Sequence, residues 1–582
     1  MDLDFKPAGD KALVVECGNA ISEEINRRVR RLNWAIDRRK IPGIQEIIPT
    51  YRSLLVLYEP ELMSPKELTA IIRQCASEAA DAAVPEPKMT VIPVAYGGVY
   101  GPDLSDVAKI NGLTPAEVIK LHTSRDYLIY MLGFTPGFPY LGGMAEEIAV
   151  PRLAEPRLRI PAGSVGIAGG QTGVYPVESP GGWRLIGRTP LRLYDPEAAH
   201  PVLLRAGDYI RFQAIEAAEY ECLAAEKPVE AVAVDNFSAA HPLCEVVHGG
   251  LLTTIQDLGR YGYQQFGVPT AGAMDEFAFR IANLLVGNQE NASALEVTAS
   301  GPVLTFRNPT VISVTGGDLM PLLNSGPIPM WESIAVSPDD ILSFGGRRSG
   351  CRAYLAMAGG VEVPEVMGSR STYLRGKIGG LAGRKITAGD VLPGRPLAAC
   401  STARPGRRLP AAFIPKYGGE TTLRAVPGPQ ADCFPPESLK QFTDGVYRIT
   451  AESDRMGYRL QGPGLHHKSG ADIISDGLPL GAVQVPGHGN PIIMLADRQT
   501  TGGYAKIATV IAADLPQLAQ MMPGQHVRFR LVSPEEAREI YLGYKAELRQ
   551  CAVAIDTVNR WNWRLTVAGE TYTVTVTETR NE

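Results

Sequence analysis

The sequence predicts a mainly β protein of several domains, opened by a small α+β unit. Three observations predict it. Gly and Pro are plentiful, at 61 and 46 of 582 residues, with no collagen-like period. Between them lie short runs rich in Val, Ile and Tyr, the pattern of strands joined by tight turns. One element also recurs three times. Arg205-Ala-Gly-Asp-Tyr-Ile-Arg-Phe212, Thr387-Ala-Gly-Asp-Val-Leu392 and Met522-Pro-Gly-Gln-His-Val-Arg-Phe529 each read as a turn feeding a strand. Spacings this long exclude a solenoid and fit three similar β domains.

Residues 1–84 form the α+β unit. Ala12 to Glu16, Ile44 to Pro49 and Ser53 to Tyr58 read as strands, and Ser22 to Asp37 carries helical apolar spacing. Ser64-Pro-Lys-Glu67 starts a second helix with a capping box and Pro at its first position. Pro85-Glu86-Pro87 marks a linker. The segment 90–228 begins with short helices at Asp103 to Ile110 and Pro115 to Thr123, then turns to strands. A soft boundary at 228–243 precedes two further β domains, 244–392 and 416–540, joined by the Pro- and Arg-rich connector 393–415. The tail, 556–582, holds two alternating strands, Trp563 to Val567 and Thr571 to Thr577, with Gly569 in the turn.

Charge and composition exclude whole classes. With 57 basic and 62 acidic residues, the chain has no electrostatic footprint for nucleic acid. No apolar run is long enough to span a membrane. Met1 to Lys6 has neither the basic start nor the apolar core of a signal peptide. The eight cysteines are scattered and form no C-x-x-C pair, so reduced thiols, no metal site and a cytoplasmic location are expected.

Several chemical-looking signals fail. Gly368 to Lys377 ends in Gly-Lys, but Ser371 stands where the first P-loop glycine belongs and Ile378 replaces the Ser or Thr. Ser164 lacks the first glycine of a nucleophile elbow. His466 and His467 are adjacent, so their rings point apart. Three signals survive: Leu132 to Gly143, the glycine-rich Pro161 to Pro176, and Ala496 to Ala508. The second sets Gln171 and Thr172 among glycines whose N–H groups can form an anion nest. A bulged strand pair explains it equally well. The third gathers Asp497, Arg498, Gln499, Thr500, Thr501 and Lys506 between apolar runs, and its Gln-Thr-Gly pattern echoes the second. Arg grips carboxylate or phosphate bidentately and Lys adds a point charge; an embedded polar cluster needs a reason. Two weaker segments hold Gln256, Asp257, Arg260 and Asp275, and Arg370, Arg375 and Lys377.

Together these segments resemble one family. Leu132 to Gly143, Pro161 to Pro176 and Ser179-Pro-Gly-Gly-Trp-Arg-Leu-Ile-Gly-Arg-Thr189 are similar to KipI, also known as the B subunit of 5-oxoprolinase or as allophanate hydrolase subunit 1. Gly250-Leu-Leu-Thr-Thr-Ile-Gln-Asp-Leu-Gly-Arg260, Gly267 to Asp275, Tyr354 to Gly360, Gly368 to Arg375, Ser453 to Arg459 and Ala496 to Ala508 are similar to KipA, the C subunit of 5-oxoprolinase. The resemblance covers roughly 1–540. It implies an N-terminal α+β domain followed by cyclophilin-like β-barrels, one in the KipI-like part and two in the KipA-like part. It implies an enzyme that uses ATP and Mg²⁺, with the separate A component of 5-oxoprolinase as partner, opening 5-oxo-L-proline to L-glutamate. Homo-oligomerisation is left open. Two alternatives accompany it: a carboxyltransferase moving carboxyl from carboxybiotin to urea or a related amide, and a regulator of a sensor histidine kinase. The tail resembles the hairpin before a biotin carrier domain, but no lysine follows Lys545, so covalent biotin is not expected.

The candidate residues follow. Arg498 and Lys506 are expected to contact phosphate or substrate carboxylate. Gln171, Thr172, Gln499 and Thr500 are expected to position the substrate from facing loops. Arg370, Arg455 and Asp257 are second-rank candidates, Asp257 as a holder of Mg²⁺ or a proton.

Overall fold

A computed structural model describes residues 3–78, 86–225, 241–557, 560–567 and 570–577. Pro85, most of the boundary at 228–240 and Gly569 lie outside the described residues. The α+β unit is a four-stranded antiparallel sheet in the order Asp4–Pro7, Ala12–Glu16, Ser53–Tyr58, Ile44–Pro49. Helices Glu23–Arg39 and Pro65–Glu78 cover one face. Each starts where its cap dictates: Ser22 accepts from the Ile25 N–H, and Ser64 and Glu67 exchange hydrogen bonds.

Two seven-stranded barrels follow the same plan. In the first, the ladder runs Gln171–Val174, Ser164–Ala168, Arg184–Arg188, Met89–Tyr96, Tyr209–Ile215, Asp126–Leu132, Pro139–Gly142. In the second, Ile492–Met494, Ala482–Gln484, Lys506–Val510, Thr421–Pro427, His526–Leu531, Tyr447–Ile449 and Gly457–Gln461 follow the same cyclic order, and the ring closes. In both, the recurring turn element supplies a last strand parallel to the first: Tyr209–Ile215 on Met89–Tyr96, and His526–Leu531 on Thr421–Pro427. The third copy, Val391–Pro393, instead pairs antiparallel with Pro242–His248. It belongs to a six-stranded sheet stacked on a five-stranded one, so 242–393 is a double sheet where the sequence suggested a barrel.

Five helices among the described residues escape the sequence reading: Ala217–Ala225, Glu276–Leu285, Pro436–Asp444, Leu515–Ala519 and Pro534–Ala554. Glu276–Leu285 packs on the five-stranded sheet, with Asp275 as its N-cap accepting from the Ala278 N–H. Pro534–Ala554 lies beyond the second barrel and braces the α+β unit: Arg538 donates to the Pro60 carbonyl and Lys545 lies 3.3 Å from Glu61. Beyond it, Arg560–Val567 and Glu570–Thr577 pair as a hairpin.

The two halves of the chain are packed into each other. Val268, Ala271, Tyr373 and Ile378 from the C-terminal half join the apolar core of the first barrel. Gly137 N–H donates to the Phe266 carbonyl at 2.8 Å. At Gly267, with φ +81°, a Cβ would sit 2.5 Å from the Thr135 carbonyl oxygen, so only glycine fits.

Candidate functional site

The seam between the halves organises one buried cation. Glu46, on the strand Ile44–Pro49, accepts from the Gly262 N–H at 3.0 Å, the Gln264 N–H, and Gln264 Nε2 at 2.7 Å. With its amide nitrogen so committed, Gln264 presents Oε1 outward, where it accepts from an Arg498 guanidinium nitrogen at 2.9 Å. Arg498 also donates to the Leu478 carbonyl at 2.9 Å, the Thr270 hydroxyl at 3.4 Å and the Leu495 carbonyl at 3.5 Å. All four acceptors are neutral. Among the described residues no carboxylate lies within 4.0 Å of Arg498, although it is only 3% exposed. Burial pulls it down to about 10, only partly opposed by Tyr261 and Glu46.

Arg498 lines a cavity of about 450 Å³. Its walls come from the α+β unit (Asp10, Lys11), the loop bearing Gln264, the second barrel (Arg498, Thr509) and the C-terminal helix (Tyr544). The other lining cations are already matched: Lys11 lies 3.9 Å from Glu59, Arg280 3.4 Å from Glu276, and Lys545 3.3 Å from Glu61. A desolvated guanidinium held in shape by neutral acceptors, facing a space of ligand size, is suited to a carboxylate or phosphate.

The other expected site residues have different fates. Arg455 is the opposite of Arg498: it forks onto Asp497 at 3.0 and 3.1 Å, pairs with Glu296, and donates to the Gly272 carbonyl at 2.7 Å. Burial opposes its charge, but Asp497 and Glu296 outweigh burial and hold it above the usual range. Arg455 is therefore committed to joining the double sheet to the second barrel. Lys506 is fully buried 3.4 Å from Asp476, which also accepts from the Ser53 hydroxyl at 2.6 Å. It is not among the residues lining Arg498's cavity. Burial lowers it, with Asp476 pulling the other way.

Asp257 corrects the expectation of a free carboxylate. Its oxygens accept from the Gly259 N–H at 2.8 Å, the Arg370 N–H at 2.6 Å, the Ser369 hydroxyl at 2.7 Å and the Ser371 hydroxyl. Three of these donors converge on one oxygen and one on the other, so Asp257 staples the 369–371 loop. Arg370 turns its side chain to the Val363 carbonyl and Glu365. No group of three His, Cys, Asp or Glu able to hold a metal exists among the described residues. Asp257, the carboxylate expected to serve Mg²⁺, is thus engaged by the fold itself.

Gln171 and Thr172 face inward to their own neighbours. Gln171 donates to the Tyr51 hydroxyl at 2.6 Å, and Thr172 shares a 2.8 Å hydrogen bond with His122. Burial pushes His122 down to about 3, so it is neutral. The Gln-Thr-Gly echo is not an equivalence. Gln171 opens the strand that corresponds to Ile492–Met494, whereas Gln499 precedes Thr501–Tyr504, a strand of the side ribbon with Asp472–Gly477. The Gln499 loop instead approaches the turn after Leu132: a Cβ on Gly133 would meet the Thr501 hydroxyl at 2.2 Å. Among the described residues the buried Thr135 and Thr500 hydroxyls there have no partner, Thr501 lies against Tyr140, and Gln499 is half-buried. Sequence reasoning missed Glu46, Gln264 and Asp10. Only the Gly-Val-Pro-Thr motif beginning at Gly267 marked their neighbourhood.

This architecture is that of carboxyltransferase-domain proteins. The family model "Carboxyltransferase domain, subdomain C and D" matches residues 3–204, and "Carboxyltransferase domain, subdomain A and B" matches 266–531. The N-terminal half is 47% identical over 222 residues to the B subunit of 5-oxoprolinase from Bacillus subtilis, covering 36% of this chain and 92% of that one. The C-terminal half is 39% identical over 296 residues to the C subunit of 5-oxoprolinase from Escherichia coli K12, covering 51% and 93%. The chain belongs to the family of the 5-oxoprolinase B and C subunits, with both in one polypeptide. The crystal structure of TTHA0988 matches with a TM-score of 0.77 and 36% identity, over 89% of this chain and 99% of that one. Urea amidolyase of Lachancea kluyveri is 36% identical over 53% of this chain but only 18% of its own length. No helix among the described residues is long and apolar enough to cross a membrane.

Proposed function

We propose that this chain is the fused B and C component of a cytoplasmic, ATP-dependent 5-oxoprolinase that opens 5-oxo-L-proline to L-glutamate with a separate A component. The observation that carries the reading is Arg498, a buried cation without an acid partner, in a cavity walled by both halves. The names of the relatives support the substrate. An amide is a poor electrophile because of resonance, so opening a lactam demands activation at its oxygen and tight alignment. This chain's contribution is binding: Arg498 holds the substrate carboxylate, and the walls drawn from both halves orient the ring. The chemistry of ATP belongs to the assembly with the A component. Because Glu46 in one half fixes Gln264 in the other, fusion keeps the site in register.

The test is ADP release by the chain plus the A component, with 5-oxoproline, urea or no substrate. ADP and glutamate formed only with 5-oxoproline support the reading. The family's carboxyltransferase description and the urea amidolyase relative favour a second reading. Carboxyl transfer to urea with an added biotin carrier and carboxylase, without 5-oxoproline turnover, would select it. Full activity in each separated half would sink the shared site.

A further inference from the structure

The cavity beside Arg498 has a second pole. Asp10 lies in the turn between Asp4–Pro7 and Ala12–Glu16 and is buried against the second barrel. Gly9, at φ +104°, lets this turn press so close that a Cβ there would sit 2.8 Å from a methyl carbon of Thr509. Both Asp10 oxygens accept from the Ala512 N–H, at 3.2 and 3.1 Å, and Asp10's own N–H also reaches its carboxylate. Two carboxylate oxygens offer about four acceptor sites, so capacity is left over. Of the charged groups lining the cavity, Arg498 and Asp10 are the ones without an opposite charge within 4.0 Å among the described residues. They do not pair with each other, so the fold holds them apart. Two more buried polar atoms without a partner among the described residues, the Thr509 and Tyr544 hydroxyls, belong to residues of the same wall. Buried polar groups are normally satisfied; four under-used ones around one space describe a ligand.

We propose that this cavity takes a small acid that also carries an amide N–H, its carboxylate on Arg498 and its N–H on Asp10, with the Thr509 and Tyr544 hydroxyls available to its carbonyl oxygen. The choice of a cyclic amide acid as the probe rests on the 5-oxoprolinase reading. The two poles go beyond it: they define a dual requirement that a neutral amide such as urea meets only at one end. Burial raises Asp10 to about 6, so near neutral pH it is largely an acceptor that an N–H donor would reinforce.

Calorimetric titration of the full chain tests this with three ligands: 5-oxo-L-proline, 2-pyrrolidinone, which lacks the carboxylate, and 5-oxotetrahydrofuran-2-carboxylate, the lactone acid in which a ring oxygen replaces the N–H and the carbonyl is kept. Either deletion should weaken binding by roughly tenfold or more, the scale of one lost charged or polar contact. Arg498→Gln should erase the preference for 5-oxoproline over pyrrolidinone. Asp10→Ala should erase the preference over the lactone acid. The series on the unaltered protein stands even where a variant folds poorly. Equal affinity for all three ligands would overturn the assignment. So would turnover of 5-oxoproline by the complex with the A component whose KM is unmoved by both substitutions, which leaves the 5-oxoprolinase reading intact. Selective binding without any such turnover removes that reading and keeps the cavity assignment.

Discussion

Asp497 and Arg498 are neighbours in sequence, both buried, and lead opposite lives. Asp497 closes a network in which Arg455, Glu296 and Arg352 neutralise one another across the junction of double sheet and second barrel. Tyr354 and the Met274 N–H saturate Glu296 further, at 2.8 Å each. One residue on, Arg498 receives only neutral acceptors. Desolvating a charge is costly unless it is paired. A network that pairs every member is spent on holding the fold. A cation left with carbonyls and an amide keeps its charge for something that is not part of the chain.

The comparison breaks most readily at Arg455. Arg455→Met leaves Glu296 and Asp497 buried with less counter-charge, and the loss should be about 3–5 kcal/mol of stability, read by denaturant unfolding. A loss under about 1 kcal/mol would mean the network is not the junction's clamp. Arg498→Gln should do the reverse. It should cost turnover about a hundredfold or more, some 2.7 kcal/mol in the barrier, while unfolding shifts less than in Arg455→Met. Unchanged kcat/KM in the assembly with the A component would remove Arg498 from the site.

Much of this was legible in the sequence because it is local. Caps at Ser22, Ser64 and Thr114 fix helix starts through neighbours three residues away. Short apolar runs marked Ala12–Glu16 and Ser53–Tyr58, both buried along their whole length. The polar cluster at 496–508 was visible as charge among apolar runs. What the cluster does was not visible, because partnership is long-range. Arg455 finds Glu296 across 159 positions and Lys506 finds Asp476 across 30. Nothing in sequence distinguishes those residues from Arg498. Asp257 looked reactive for the same reason: its donors, Ser369 to Ser371, come from over a hundred residues away. Gln264 lies between the two stretches 250–260 and 267–275 that carried the resemblance, and Glu46, which orients it, stood in an ordinary strand.

The scaffold behind Arg498 offers a subtler break. Gly267→Ala forces a side chain into a φ of +81° and into the Thr135 carbonyl. The cost should be roughly 1–3 kcal/mol. Because the strain falls three residues from Gln264, it should also blunt the discrimination that Arg498 provides. Loss of stability with discrimination intact would show that the seam and the site are independent.

The smallest effect sharpens the comparison from the anionic side. Asp10 is raised from 3.8 to about 6, chiefly by burial, with Asp514 adding and Lys11 and the Ala512 N–H subtracting. Its folded value lies above its unfolded one. Its contribution to stability is therefore full below pH 3.8 and is lost as pH rises through 6, by up to about 1.4 kcal/mol per pH unit between. Asp275 runs the same way, also to about 6, and His122 the opposite way, so the raw profile mixes them. The difference between wild type and Asp10→Asn isolates the one group: wild type should lose stability relative to the variant from pH 4 to 6 and run parallel above. A ligand whose N–H sits on the ionised carboxylate must favour that form, so saturating 5-oxoproline should move the window towards lower pH. A window that stays in place with ligand bound would leave Asp10 a structural acid, spent like Asp497 on the fold and unlike Arg498.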